Sequence, residues 1–166
     1  MEKYAEIDID GNYRYLLGRK WDEKLPQVTF VMLNPSTADH QQDDRTLTKC
    51  INLAKSWDYG SLEVVNLFAY RATKRPDLLL TTDDIVGSKN NIHIQSATKR
   101  AESVIVAWGG GKFPKIMNRN EKVLSLISDY TLYCLVNNRD DDRTRDGHPF
   151  HPLQRARPIK GRKLFI

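Results

Sequence analysis

The chain has little cysteine and no long hydrophobic run. Only Cys50 and Cys134 occur among its 166 residues, each inside an apolar stretch. Two separated cysteines of this kind favour buried free thiols over a structural disulfide or a zinc site. The longest apolar runs are far too short to span a bilayer, and the opening residues, MEKYAEIDID, carry charges where a signal peptide has its apolar core. We therefore expect a cytoplasmic protein with no membrane partner.

Several common catalytic motifs are missing or broken. The GGGK of residues 109–112 lacks the upstream Gly and the following Ser or Thr of a phosphate-binding loop. Ser36 is not surrounded by the G-x-S-x-G turn of a hydrolase. A metal site would need His148, His151 and Asp39, and chance spacing accounts better for a His-x-x-His without further ligands. We expect neither a metal nor a cofactor.

The length and the charge suggest one domain with a polyanionic partner. A chain of 166 residues with 40% hydrophobic residues suits a single compact domain over residues 1–166. The net charge is +5, and residues 139–166 hold eight Lys or Arg against four Asp. A basic segment beside a polar pocket suits nucleic acid, because each phosphate contact releases counterions. Many basic proteins bind no nucleic acid, so charge alone leaves the partner open.

The strongest structural signal is the stretch VTFVMLNPSTAD at residues 28–39. Residues 28–33 are almost entirely apolar, which is typical of a strand buried on both faces. Pro35 lacks an N–H group and biases Asn34 toward extended geometry, so the strand must end there with Asn34 facing outward. Ligands of parallel sheets bind at the carboxyl ends of the strands. The polar cluster at this end is therefore a candidate site.

The rest of the chain alternates between strand and helix patterns. Strands are predicted at residues 12–21, 28–33, 62–68, 103–108 and 131–136, and helices at about 46–57, at about 81–100 and after the glycines of residues 109–111. Asp43 or Asp44 is expected to cap the first helix, and Thr81 to open the second with a capping box. The strand at residues 12–21 is expected at an edge, paired with its neighbour through the turn at residues 22–26.

This alternation predicts the fold. Right-handed crossovers force a parallel sheet covered by helices, so the fold class is α/β, a three-layer α/β/α sandwich with a central, mostly parallel four-stranded sheet. Residues 1–27 would add an N-terminal edge strand or hairpin, residues 28–153 would form the core, and residues 154–166 would be a basic C-terminal tail. The loops at Asn34, at residues 66–73 and 108–111, and at His151 should converge on one crevice.

The motifs and their order resemble the uracil-DNA glycosylase superfamily. Asn-Pro follows the first core strand, VVNLFAYRAT spans the second, AWGG follows the third and HPFHPL follows the fourth. The strings MLNPSTAD, VVNLFAYRAT and HPL are also similar to a bacterial and phage family catalogued as domain of unknown function sixteen forty-three. The superfamily resemblance implies a glycosylase-like fold and an enzyme that flips a modified or damaged base out of DNA and hydrolyses its N-glycosidic bond, in repair or modification. The implied partner is duplex or single-stranded DNA, with no obligate protein partner.

The resemblance also implies residue roles. Asn34 would position the attacking water, Asn66 would read the flipped base, and His151 would stabilise the departing base, with His148 as the second candidate. Asp39 or Asp44 would assist the water, since an amide cannot act as a base. The other candidates for base or substrate binding are Pro35, Ser36, Thr37, Phe68, Arg71, Trp108 and Gly109. The expected phosphate contacts are Arg155, Arg157, Lys160, Arg162 and Lys163, with Leu153 as an apolar wedge.

Each assignment has a structural alternative. Asn34 and Pro35 could form only a turn that begins a helix. The Asn66 amide could satisfy buried backbone, and Trp108 could be a core residue. Arg71 could pair with Asp39 or Asp44. The alternative function is a non-catalytic nucleic-acid or nucleotide binding module on the same fold, whose binding would survive Asn34→Ala.

Overall fold

The elements come from a computed structural model that describes residues 1–72, 74, 76–80 and 84–166, with Leu80 described by its backbone alone. The strands are β1 (Glu2–Ile7), β2 (Arg14–Lys20), β3 (Gln27–Met32), β4 (Ser61–Asn66), β5 (Ser103–Val106), β6 (Leu132–Asn137) and β7 (Ile159–Leu164). The helices are α1 (Arg45–Ser56), α2 (Asp77–Leu80), α3 (Asn90–Arg100) and α4 (Arg119–Leu126), with a 3-10 segment at Phe113–Asn118. Among the described residues, no helix has the length and apolar character needed to cross a membrane.

The strands form one mixed sheet in the order β1-β2-β4-β3-β5-β6-β7. The four central strands, β4, β3, β5 and β6, run parallel to one another. Antiparallel strands extend the sheet at both ends: β2 pairs with β4 and carries β1, and β7 pairs with β6. The α/β class is therefore confirmed, and the sheet is wider than the sequence pattern predicts.

Three predictions about individual elements are wrong. β2 lies between β1 and β4, so it neither forms an edge nor pairs with β3 through residues 22–26. The segment predicted as a basic tail contains β7, an edge strand whose lysines and arginines discourage pairing with other chains. The second helix begins at Asn90, because Gly87 has φ +90°, which an α-helix does not allow. Glycine suits this position, since a Cβ there would lie 2.8 Å from the Tyr15 ring. Thr81 and Thr73 lie outside the described residues.

The central strands are buried on both faces. In β3, Val28, Phe30 and Met32 pack in the cluster that contains the apolar face of α1. Val31 and Leu33 belong to the cluster on the opposite face, which includes residues of α3 and α4. Side chains of a strand alternate between faces, so an unbroken apolar run fills two cores at once. The polar side chains of β3 and β4 lie at the strand ends, except for Thr29 and Glu63, which bond to residues of α3.

Helix α3 is attached to the sheet by a buried charge. The Glu63 carboxylate in β4 is 1% exposed and accepts two hydrogen bonds from Arg100, at 2.7 and 2.8 Å. At the other end of the same helix, the Asn90 amide donates to the carbonyl oxygens of Asn66 and Leu67, at 2.9 and 3.2 Å. The position of α3 therefore fixes the backbone where β4 ends.

We predict that Arg100→Met lowers the free energy of unfolding by about 1–3 kcal/mol, because it leaves the Glu63 carboxylate buried without its partner. Urea denaturation measures the change. Lys99→Met removes an exposed cation from the same turn of α3 and should shift stability by less than about 0.5 kcal/mol. Equal effects of the two substitutions would show that the Glu63 pair does not anchor the helix.

Candidate functional site

A polar cavity of about 190 Å³ lies beside the carboxyl end of β3. Its walls come from β2, from β3 and the loop after it, from the start of α1, from β4 and from the segment after β6. The lining residues are Arg14, Leu17, Met32, Leu33, Asn34, Ser36, Asp44, Thr46, Leu47, Val64 and His151. Asn34 and His151, which are far apart in the sequence, thus line the same cavity at the sheet edge where parallel sheets bind ligands.

Asn34 presents a fixed hydrogen-bond acceptor. Its Nδ2 donates to the carbonyl oxygen of Ala72 at 2.6 Å and to that of Pro35 at 3.0 Å. The bond to Ala72 also ties the loop after β4 to the loop after β3. Since the amide nitrogen is engaged, Oδ1 is the atom left to accept a hydrogen bond from a ligand or a water molecule.

Asp44 contributes a carboxylate to the cavity. It is the N-cap of α1, and its Oδ1 accepts a hydrogen bond from the Leu47 N–H at 2.8 Å. Of the two residues predicted as the cap, it is therefore Asp44, while Asp43 accepts from Arg19 Nε at 2.9 Å. The capping bond uses one oxygen of Asp44, so the second oxygen can accept a proton or a hydrogen bond in the cavity.

Arg14 is a buried cation that the sequence patterns did not single out. The residue is 4% exposed, and its Nη1 donates to the Ala38 carbonyl oxygen at 2.9 Å. Its Nε has no hydrogen-bond partner among the described residues. Burial lowers the pKa of Arg14 to about 10, and the charge of Asp44 partly offsets that effect, so the guanidinium stays charged at neutral pH.

Arg14 and Asp44 give the cavity opposite charges without neutralising each other by contact. Both side chains line it. Among the described residues, they form no ion pair at 4.0 Å or less. A ligand group that bridges them could accept a hydrogen bond from the guanidinium and donate one to the carboxylate. The only sequence signal for Arg14 is a charge within the strand pattern NYRYLL.

His151 lies where this cavity meets a wider groove. Its Nδ1 accepts the Leu153 N–H at 3.0 Å, which orients the ring and places the proton of the neutral imidazole on Nε2. The groove has a volume of about 530 Å³. Its lining residues are Arg45, Gly109, Gly110, His151, Leu153, Gln154 and Arg155. The loops after β3, β5 and β6 therefore meet around His151.

Asn66 is a buried amide without a partner. It is 1% exposed, and neither Oδ1 nor Nδ2 has a hydrogen-bond partner among the described residues. It follows the cavity-lining Val64 by two residues, so its side chain lies on the same face of β4, although Asn66 itself does not line the cavity. The structural alternative expected the Asn66 amide to bond to buried backbone groups, and within the described residues it does not. Such an unsatisfied group costs about 1–3 kcal/mol.

Three predicted contact residues are buried away from the cavity and the groove. Trp108 and Phe68 belong to the core cluster on the α3 and α4 face. The Trp108 Nε1 donates to His148 Nδ1 at 3.4 Å. His148 is itself 4% exposed, and burial lowers its pKa below the ordinary value. Trp108 is thus placed as a core residue, which was its structural alternative, and His148 packs beneath the loops.

Asp39 and Thr37 lie in the loop after β3 but do not line the cavity. The Asp39 Oδ1 accepts the N–H groups of Gln41 and Gln42, both at 2.8 Å, and these bonds lower the pKa of the carboxyl group. Thr37 is exposed, and it does not line the cavity, whereas its neighbour Ser36 does. Arg71 donates to the Gly11 carbonyl oxygen at 3.4 Å and forms no ion pair with Asp39 or Asp44 among the described residues.

Most of the predicted phosphate contacts lie elsewhere. Lys160 pairs with Asp140 at 2.6 Å, and Lys163 pairs with Asp142 at 3.1 Å. Arg162 packs against the rings of three aromatic residues, which are Trp57, Tyr59 and Tyr133. These three cations lie in β7, and Arg157 lines neither the cavity nor the groove. Of the predicted set, Arg155 alone reaches the groove, where Arg45 joins it.

No set of three His, Cys, Asp or Glu residues in the described part of the chain is arranged to hold a metal ion. The polar atoms of the cavity suit hydrogen bonding to an organic ligand, and Arg14 and Asp44 supply a positive and a negative charge there. The chemistry that they support is acid–base work and electrostatic stabilisation.

Residues 14–153 match a family described as Protein of unknown function (DUF1643). The match covers most of the chain, and the protein therefore belongs to this family. Its matched region contains the cavity and most of the groove. A search of curated proteins found no match, and a search of solved structures found none.

We predict that Asn66→Leu raises the free energy of unfolding by about 1–3 kcal/mol, because it removes an unsatisfied amide from the core at nearly constant volume. Asn137→Leu is the matched control. Asn137 also ends a parallel strand, but its side chain bonds to Asp141 and accepts the Arg139 N–H, so its loss should destabilise the fold by about 1–3 kcal/mol. Urea denaturation of both variants decides the matter. A loss of stability in Asn66→Leu would mean that the amide is satisfied in solution.

Proposed function

We propose that this protein hydrolyses the N-glycosidic bond of a modified or damaged base in DNA. The observation that supports the proposal most is the lining of one cavity by Asn34, Asp44 and His151. Asn-Pro after β3, Asn66 at the end of β4, Trp-Gly after β5 and His-Pro after β6 also follow the order of motifs in uracil-DNA glycosylases. A glycosylase-like arrangement of the four parallel strands is part of the proposal.

The side chains suit the reaction. Breaking the bond between C1′ and the base nitrogen develops positive charge on the sugar and negative charge on the base. Asn34 Oδ1 orients a water molecule, whose oxygen bonds to C1′ while Asp44 takes its proton. The bonding electrons leave with the base, and the N–H of His151 stabilises the charge on it. No covalent bond between the protein and the substrate is required.

The size and charge of the cavity favour a base over a whole nucleotide. Its volume of about 190 Å³ is below the roughly 300–1,000 Å³ of pockets for drug-sized ligands. Arg14, the one Lys or Arg among the described lining residues, is balanced by Asp44, so a neutral group with hydrogen-bond donors and acceptors suits the cavity better than a phosphate. The base would therefore enter the cavity and the phosphates would stay outside.

A non-catalytic binding module remains the second candidate function. One observation favours it: the Asn34 amide nitrogen and the Asp44 Oδ1 already bond to backbone groups, so both residues have structural reasons to be present. Such a module would bind a base in the same cavity without releasing it. The abasic-site assay separates the two functions.

We predict that the protein forms abasic sites in oligonucleotides that carry uracil, hydroxymethyluracil, hypoxanthine or glucosylated bases, scored in single-stranded and duplex DNA by cleavage at the product. Asp44→Asn should reduce the single-turnover rate by about 10²–10⁴-fold, since it removes the proton acceptor. Asn is as good an N-cap as Asp, so α1 should be preserved.

Asp39→Asn is the matched control. It makes the same carboxylate-to-amide change at a residue that does not line the cavity, and the amide oxygen of Asn can still accept the Gln41 N–H. The rate should therefore stay near that of the parent protein. Equal losses in both variants would contradict the role of Asp44. No abasic product from any substrate, together with retained binding in Asn34→Ala, would favour the binding module.

A further inference from the structure

The groove beside the cavity carries a different charge from the cavity itself. Arg45 and Arg155 line it, and none of the described residues that line it is Asp or Glu. The cavity, by contrast, has Arg14 balanced by Asp44. His151 lines both, so it marks the boundary between a near-neutral space and a cationic one. A ligand that spans the boundary would have a neutral group on one side and an anionic group on the other.

The side chains of Arg45 and Arg155 are available to bind a ligand. Both are exposed, and neither makes an ion pair, a side-chain hydrogen bond or a ring contact within the described residues. Lys160 and Lys163 of β7, in contrast, each pair with an Asp. A cation without a carboxylate partner gains most from a phosphate contact, because no internal pair has to break.

The carboxylates nearest the groove are held by other groups. Arg45 is the first residue of α1, and the Asp44 carboxylate that caps this helix bonds to the Leu47 N–H and lines the cavity rather than the groove. Gly109 and Gly110 also line the groove and bring no side chain into it. Asp146, next to that loop, accepts the Gly111 N–H at 2.8 Å and the Thr144 hydroxyl at 2.5 Å, and it is not among the described residues that line the groove.

We propose that Arg45 and Arg155 hold the backbone phosphates of a nucleic-acid strand next to the nucleotide whose base enters the cavity, and that the cations of β7 take no part. The inference deepens the proposed function, on which it rests for the identity of the base. The phosphate contacts do not depend on hydrolysis of the N-glycosidic bond. The strand would run along the groove past His151, with the sugar of the bound nucleotide at the boundary.

The test is the salt dependence of binding to a single-stranded oligonucleotide that holds one stable abasic analogue, measured by fluorescence anisotropy. Because this probe has no base to release at that position, binding is measured apart from catalysis. Each phosphate contact to a single strand contributes about 0.7 to the slope of log K against log salt. Arg45→Gln and Arg155→Gln should therefore each lower the slope by about 0.7 and weaken binding at low salt.

Lys160→Gln and Lys163→Gln are matched controls, since each removes one positive charge, and they should leave the slope unchanged. Equal decreases in all four variants would overturn the proposal in favour of a diffuse charge effect, and so would an unchanged slope in the two groove variants. If the slopes change as expected while no substrate yields abasic product, the phosphate site stands and the proposed reaction fails. If product forms with unchanged slopes, the reaction stands and the phosphate site fails.

Discussion

The site depends on the burial of four parallel strands on both faces. Between Val28 and Met32 the side chains of β3 are apolar except for Thr29, whose hydroxyl donates to the Ala97 carbonyl oxygen at 2.9 Å. The polar groups that can meet a ligand therefore come where the strand ends, at Asn34 and beyond. Pro35 ends the pairing, and the bond from the Asn34 amide to Ala72 joins the loops after β3 and β4. The parallel arrangement then brings the loop that holds His151 to the same edge.

Charge divides this edge into two parts. Arg14 and Asp44 face the cavity with opposite signs, while Arg45 and Arg155 make the adjoining groove cationic. Asp44 has two tasks, since it caps α1 and supplies a carboxylate to the cavity. The unsatisfied amide of Asn66 lies on the same face of the sheet. Groups of this kind persist at functional sites at a cost in stability.

The sequence could predict what depends on local pattern. The apolar run at residues 28–33, the turn at Asn34-Pro35 and the cap at the start of α1 follow from neighbouring residues. The pairing of β2 with β4, the strand β7 and the burial of Arg14 could not be predicted, because each depends on contacts between distant segments. Lys160 and Lys163 were predicted as phosphate contacts, but they pair with Asp140 and Asp142. These ion pairs depend on the pairing of β6 with β7, which the sequence pattern does not show.

The most direct test of base binding in the cavity is to measure amide chemical shifts during titration with a uracil oligonucleotide. A 2′-fluoro sugar at the uracil blocks hydrolysis. We expect the largest changes at the Asn34 side-chain amide and at the backbone of Ser36 and Thr46, all of which line the cavity. Changes centred instead on the opposite face, where Glu6 and His93 line two other depressions, would contradict the account.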